Sequence, residues 1–327
     1  MNVQKHTLKA TVAATALALT AGAAMAENWD MPMAYAATNY HSEHGVVFAD
    51  KVREYTGGDI DITVHPGGSL FGGADIKRAI QTGQVPIGER IMSAHANENA
   101  IFAWDNLPFV ATTYEANVRL WEAAKPAFNA TLNEQNLVAL YTCPWPGQGF
   151  YFNKEVNSSA DTQGLKFRSY NAATAQVAEM LGMVPVQIEA AELSQALATG
   201  VADGFISSGS TGYDRKVWEH QTHYYKVNAW LPHNTVMVNK EVWDGLDADA
   251  QAAVQKAADE AGAACAAKSE ELANWYFEQL AENGMEVTDA GPEFLAELQA
   301  IGTQMTAEWL EQVGDQGQAI LDAYNAN

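Results

Sequence analysis

Gly164-Leu165-Lys166-Phe167-Arg168-Ser169-Tyr170 reads as a short strand, with Leu165 and Phe167 alternating against Lys166 and Arg168. That period of two sends apolar and polar side chains to opposite faces. Comparable runs are expected as strands at 29–36, 60–65, 85–91, 137–142, 150–153, 184–188, 204–207 and 235–239. Helical patterns lie between several of them: 44–55 ends at Gly57-Gly58, and 74–82 stops at Gly83, after a turn at Pro66-Gly67-Gly68-Ser69. Short strands alternating with helices define an α/β protein.

Gly147-Gln148-Gly149 and the 157–164 loop mark a crossing into a second α/β unit that runs to about Trp230. The 235–239 strand then returns to the first unit. Two crossings make a hinge, and hinged lobes close around ligands. The expected organisation is 27–148 plus about 235–262 in lobe 1, and 149–234 plus about 263–327 in lobe 2. From Asp247, a good N-cap with Asp249 in the first turn, the pattern stays helical to Ala281 and stops at Asn283-Gly284. At 1.5 Å per residue that is about 50 Å. Two helices broken at Gly262 would explain it; a single helix lying across both lobes is preferred.

Residues 1–26 read as a cleaved secretory signal. Lys5 and Lys9 flank the start, 10–21 is uncharged and apolar, and Ala24-Met25-Ala26 is a small-x-small cleavage pattern. The apolar run is shorter than the roughly 20 residues a bilayer span needs. With no Cys at the new N-terminus, a free protein in the periplasm is expected, not itself inserted in a membrane. The formal charge of −22 falls by two, to −24, when the signal lysines leave. So acidic a surface argues against nucleic acid or anionic lipid as a partner. Exposed charges are screened beyond about 8 Å, so a local cation in a cleft can still hold an anion. Cys143 and Cys265 are the only cysteines; one disulfide and two buried thiols are both open readings. They make no structural zinc site, which needs four ligands.

Catalytic and cofactor signatures are missing. Ser207-Ser208-Gly209-Ser210 lacks the Gly-x-Ser-x-Gly frame of a hydrolase elbow, which leaves an exported hydrolase a remote alternative. His41-Ser42-Glu43-His44 lacks the zincin spacing, and the glycines of 67–73 lack a Gly-Lys-Ser/Thr ending. Arg168 is the strongest candidate for function. It lies near its strand's carboxyl end, where open α/β sheets place ligands, and a guanidinium there can grip a carboxylate through two parallel hydrogen bonds. Most arginines are nevertheless simply exposed, so spacing alone is weak support.

Several segments together resemble the solute-binding proteins of tripartite ATP-independent periplasmic (TRAP) transporters. They are Thr56-Gly57-Gly58, Pro66-Gly67-Gly68-Ser69-Leu70 leading to Ile80-Gln81-Thr82-Gly83-Gln84-Val85, Asn106-Leu107-Pro108-Phe109, and Gly164 to Arg168. Glu192-Leu193-Ser194-Gln195-Ala196-Leu197 running into Gly200-Val201-Ala202-Asp203-Gly204, and Asn239-Lys240 with Trp243, continue the pattern. The resemblance covers almost the whole chain after residue 26. It implies a two-lobe periplasmic-binding-protein-like fold with a hinge and a long helix spanning both lobes. It further implies a carboxylate clamped by Arg168, no catalysis, no cofactor, and small and large membrane subunits that use an ion gradient.

Departures from the family bear on the ligand. Gly149 stands where members binding polar acids often carry a second arginine, Ser207 where many have Asn, and Ile91 where some relatives are acidic. The aromatics Trp145, Phe150, Tyr170, Phe205, Tyr213 and Trp218 crowd the same segments, although any one of them is more often core. Together these features favour a carboxylate with an aromatic or otherwise apolar body, whose burial stabilises by about 25 cal/mol per Å². Asn39, His41, Arg90, Gln148 and Asn171 could serve a sugar acid instead, and keto acids and C4-dicarboxylates are further alternatives. The expected ligand-binding set is thus Arg168, Asn39, His41, Arg90, Trp145, Gln148, Tyr170, Asn171, Phe205, Ser207 and Tyr213.

Overall fold

The computed structural model describes residues 27–326; the expected signal segment lies outside the described residues. The chain opens with β1 (Glu27–Pro32), α1 (Tyr40–Tyr55), β2 (Ile60–His65), α2 (Gly73–Gln81) and β3 (Ile87–Ile91). After two short 3-10 turns come α3 (Tyr114–Glu134) and β4 (Leu137–Pro144). A second unit follows: β5 (Gly149–Phe152), β6 (Lys166–Ser169), α4 (Ala172–Met180), β7 (Val184–Gln187), α5 (Leu193–Ala198), β8 (Gly204–Ser207), α6 (Gly209–Asp214) and β9 (His223–Lys226). Then come β10 (His233–Asn239), α7 (Lys240–Gly245), α8 (Ala248–Glu282), β11 (Glu286–Asp289), α9 (Pro292–Val313) and α10 (Asp315–Ala326).

The sheets separate two lobes. In the first, β1 pairs parallel with β2, and β10 lies antiparallel between β3 and β4. The returning strand therefore completes the first lobe. In the second, six strands run in the order β11-β9-β5-β8-β6-β7. Crossings occur at 144–149 and 227–232, and these two segments bond to each other: Trp145 N–H donates to the Pro232 carbonyl at 2.7 Å and Gln148 N–H to that of Trp230 at 3.0 Å. The 157–164 loop, expected to be part of a crossing, lies inside the second lobe between β5 and β6, where Ser159 N–H donates to Glu297 of α9 at 2.7 Å.

α8 is one unbroken helix of 35 residues, capped where Asp247 Oδ1 accepts from Ala250 N–H at 2.8 Å. Gly262 is not a break. A Cβ there would sit 2.9 Å from Cβ of Tyr141, so glycine lets the helix lie directly on β4. The N-terminal half of α8 buries Val254, Ala257, Ala258 and Ala261 in a first-lobe core, and Leu280 enters a core of the second lobe. Cys265 bonds to Cys143 of β4, with Cα atoms 5.7 Å apart, which settles the open question of the two cysteines.

α10 departs from the expected grouping of everything after about residue 263 with lobe 2. Its Ile320 and Leu321 join Leu120 and Phe128 of α3 in a first-lobe core, because α9 itself crosses: Phe294, Leu298 and Ile301 pack in a second-lobe core, and Trp309 already lies in the first-lobe one. Two four-residue strands, β9 and β11, were not expected, and β1 ends at Pro32 rather than running to 36. α1 begins four residues earlier than expected because Asn39 caps it, its Oδ1 accepting from His41 N–H at 2.9 Å.

Candidate functional site

The carboxyl ends of β6 and β8 face the first lobe across a small cavity. Tyr35, Arg90 and Ile91 line it from the first lobe, and Trp145, Gln148 and Pro232 from the crossing segments. Arg168, Tyr170, Glu189, Ala190, Ser207 and Thr211 line it from the second. Its empty space, including the part open to solvent, is about 420 Å³.

Arg168 reaches this cavity because β6 pairs parallel with both neighbours, setting Arg168 opposite Val186 of β7 and Phe205 of β8. Phe167 turns the other way, into the core with Phe150; Lys166, at the strand's start, is exposed and donates to the Gly200 carbonyl. The Arg168 guanidinium is held by one bond, Nε to the Ile188 carbonyl at 2.9 Å, and its face lies 5.3 Å from the Tyr170 ring. It is 3% exposed, and among the described residues no carboxylate pairs with it. Burial pulls it down to about 10, so at neutral pH it remains a cation. A buried charge without a partner costs free energy unless a counter-ion arrives.

The remaining walls are mixed. Burial pushes the Tyr35 phenol up to about 12 and Tyr170 higher still, so both are neutral. The Tyr170 hydroxyl donates to Gln148 Oε1 at 3.3 Å and accepts from Trp230 Nε1 at 3.1 Å. Trp145 Nε1 donates to Asn234 Oδ1 at 2.9 Å, which fixes the indole against Tyr35. Gly149 has no room for a side chain: a Cβ would stand 2.4 Å from the Tyr225 carbonyl oxygen. The arginine that some polar-acid binders carry there is sterically incompatible with this packing.

Six of the eleven expected residues line the cavity: Arg168, Arg90, Trp145, Gln148, Tyr170 and Ser207. The other five are placed elsewhere, each for a physical reason. Asn39 caps α1, and its Nδ2 donates across the cleft to Asp214 Oδ2 at 2.6 Å and Ser210 Oγ at 3.3 Å. Asn171 caps α4 through Thr174 N–H and donates across the cleft to Ser93 Oγ at 3.0 Å and to Asn106 Oδ1. His41 lies behind the cavity wall, its ring tilted against Trp145 with centroids 4.1 Å apart, and Nδ1 donates to Glu89 Oε1 at 3.0 Å. Burial lowers its pKa more than Glu89 raises it, so this contact is a hydrogen bond of a neutral ring rather than a salt bridge at neutral pH. Phe205 stacks on Tyr151 at 4.3 Å in the core, and Tyr213 packs on Trp275 at 4.9 Å.

Sequence reasoning missed Tyr35, Glu189, Ala190 and Pro232. One rule would have found Glu189: it follows β7 as Tyr170 follows β6, at a carboxyl end of the same sheet. The serines suggested for a hydrolase are otherwise engaged, Ser208 capping α6 and Ser210 meeting Asn39.

A cleft between two α/β lobes, lined by a buried guanidinium that pairs with no carboxylate among the described residues, is suited to binding an anion. The profile of the bacterial extracellular solute-binding proteins, family 7, matches residues 33–312, and the chain belongs to that family of TRAP solute-binding proteins. It is 72% identical to a marine metagenome TRAP solute-binding protein specific for pyroglutamate, whose structure holds co-purified pyroglutamate; the match covers 92% of this chain and 99% of that one, with a TM-score of 0.92. DctP6 of Bordetella pertussis, an extracytoplasmic solute receptor binding pyroglutamic acid, is 42% identical over 92% of this chain and 100% of its own, with a TM-score of 0.90. The C4-dicarboxylate-binding periplasmic protein DctP of Rhodobacter capsulatus is 29% identical, covering 85% of each chain. No helix among the described residues is long and apolar enough to cross a membrane.

Proposed function

We propose that this chain captures pyroglutamate in the periplasm by lobe closure, with no chemical step, and delivers it to TRAP membrane subunits. The observation that carries the reading is Arg168, a buried cation without a counter-ion lining a small inter-lobe cavity. Likeness to two pyroglutamate-binding proteins supports the choice of acid. Pyroglutamate is a compact lactam carrying one carboxylate, one N–H donor and one carbonyl acceptor. Arg168 holds the carboxylate, while Gln148, Ser207 and Thr211 offer polar groups suited to the lactam. The rings of Tyr35, Trp145 and Tyr170 cover its apolar carbons.

This choice replaces the aromatic acid favoured by the sequence. Four of the six aromatics that suggested it, Phe150, Phe205, Tyr213 and Trp218, do not line the cavity. The lobes turn about the 144–149 and 227–232 crossings, and closing raises the strength of the Arg168–carboxylate pairing by excluding water. Calorimetric titration with pyroglutamate, benzoate, phenylpyruvate, glucuronate and succinate tests the assignment. Pyroglutamate binds tightest if the reading is right; tighter binding of any other acid in the panel contradicts it.

A further inference from the structure

We propose that Glu189 restricts this cavity to ligands with a single carboxylate by occupying its second arginine. The proposal rests on the reading of the cavity as a carboxylate site, and it names what sets the charge that site accepts.

Two guanidiniums line one cavity, Arg90 from β3 of the first lobe and Arg168 from β6 of the second, and each is 3% exposed. Their states differ. Arg90 is fully matched by Glu189, Nη1 to Oε2 at 3.1 Å and Nη2 to Oε1 at 2.9 Å, in the two-pronged geometry that carboxylates and guanidiniums prefer. Arg168 has no such partner among the described residues.

Local packing leaves space for the Arg90–Glu189 pair. A Cβ on Gly73 would stand 2.6 Å from both Arg90 Nη1 and Glu189 Oε2, so the glycine that starts α2 makes room for the fork. Nothing else holds the Arg90 head: its Nε is buried without a partner among the described residues. Removing the glutamate therefore frees the whole guanidinium.

The charges lining the cavity are two cations and one anion, an excess of one positive charge. Glu89, beside Arg90 on β3, accepts from the neutral His41 ring behind Trp145; it keeps its charge but is not part of the lining, so the count covers the lining groups alone. A monocarboxylate brings the cavity to neutrality. A dicarboxylate would leave a desolvated negative charge facing Glu189, with no free donor fork for its second end. The same scaffold with Arg90 released would offer a fork at each end.

The test is calorimetric titration of wild type and E189Q with glutarate, which carries two carboxylates on a short chain, alongside pyroglutamate. Glutarate should bind E189Q at least tenfold tighter than wild type, and R90Q in the E189Q background should abolish the gain. A gain below tenfold, or one that survives loss of Arg90, overturns the proposal. E189A serves as a second variant should E189Q fail to fold. If wild type does not bind pyroglutamate, the ligand assignment fails, while the glutarate comparison still reads the role of Glu189.

Discussion

Asn39 of the first lobe donates to Asp214 of the second at 2.6 Å, while the same side chain caps α1 through its oxygen. One residue thus fixes a helix start and bridges the cleft. Arg90–Glu189 and the bonds of Asn171 to Ser93 and Asn106 link the lobes around the cavity as well. Such links form only when the lobes meet, so each favours the closed form.

Asn39→Ser separates these two roles. Serine retains a capping oxygen but is too short to reach Asp214. Losing one net hydrogen bond of about 1 kcal/mol should weaken pyroglutamate binding about fivefold, mainly through faster release. Stopped-flow dissociation measures it. An unchanged release rate would remove Asn39 from the closing contacts.

Arg168 should tolerate neither removal nor replacement. Arg168→Ala is expected to lose more than about 2 kcal/mol of binding free energy, the lower end of the cost of truncating one partner of a buried, hydrogen-bonded charge pair. Arg168→Lys should recover only part of it, because an ammonium cannot make two parallel bonds to a carboxylate. Titration of both variants, with melting curves to show that they fold, decides the point.

Stability should carry a pH signature from Asp105. This carboxyl accepts from His233 N–H at 2.7 Å and from Asn106 at 3.0 Å, yet burial outweighs both bonds and pushes it up to about 7. The folded state therefore favours the protonated acid. Its contribution is fully present below the ordinary carboxylate range and is lost as pH rises through about 7. His95 and His233, drawn by burial down to about 4 and about 3, act in the opposite sense because the folded state favours their neutral rings. The difference between wild type and Asp105→Asn isolates the acid. In urea unfolding from pH 4 to pH 8, wild type should lose stability relative to the variant. A constant difference would contradict this.

The Cys143–Cys265 bond closes a loop across 122 positions and ties β4 to the long helix. Loop-closure entropy assigns about 4–5 kcal/mol to a link of that span. The double variant Cys143→Ala, Cys265→Ala should melt several degrees lower while still binding pyroglutamate, since neither residue lines the cavity. Scanning calorimetry reads the first effect and titration the second.

The parts of this protein with strong periodicity were legible in the sequence. The 35-residue helix announces itself by its cap and its unbroken pattern, and the strand carrying Arg168 by its alternation. The four-residue strands β9 and β11 were not visible, because their pairing is decided by neighbours distant in sequence. The capping and cleft-bridging bonds of Asn39 and Asn171 were not legible for a related reason. A polar residue before a helix looks the same whether it meets a ligand, a cap or the opposite lobe. Position after β7 could have put Glu189 at the sheet's carboxyl edge, but its pairing with Arg90, which arrives from another sheet, was not legible.

The most direct test of the central claim compares pyroglutamate with its neutral carboxamide, which has the same ring and lacks the negative charge. If Arg168 grips a carboxylate in the buried cleft, calorimetry should show the amide binding at least about thirtyfold more weakly, a difference of about 2 kcal/mol. Equal affinity for the two compounds would contradict the account.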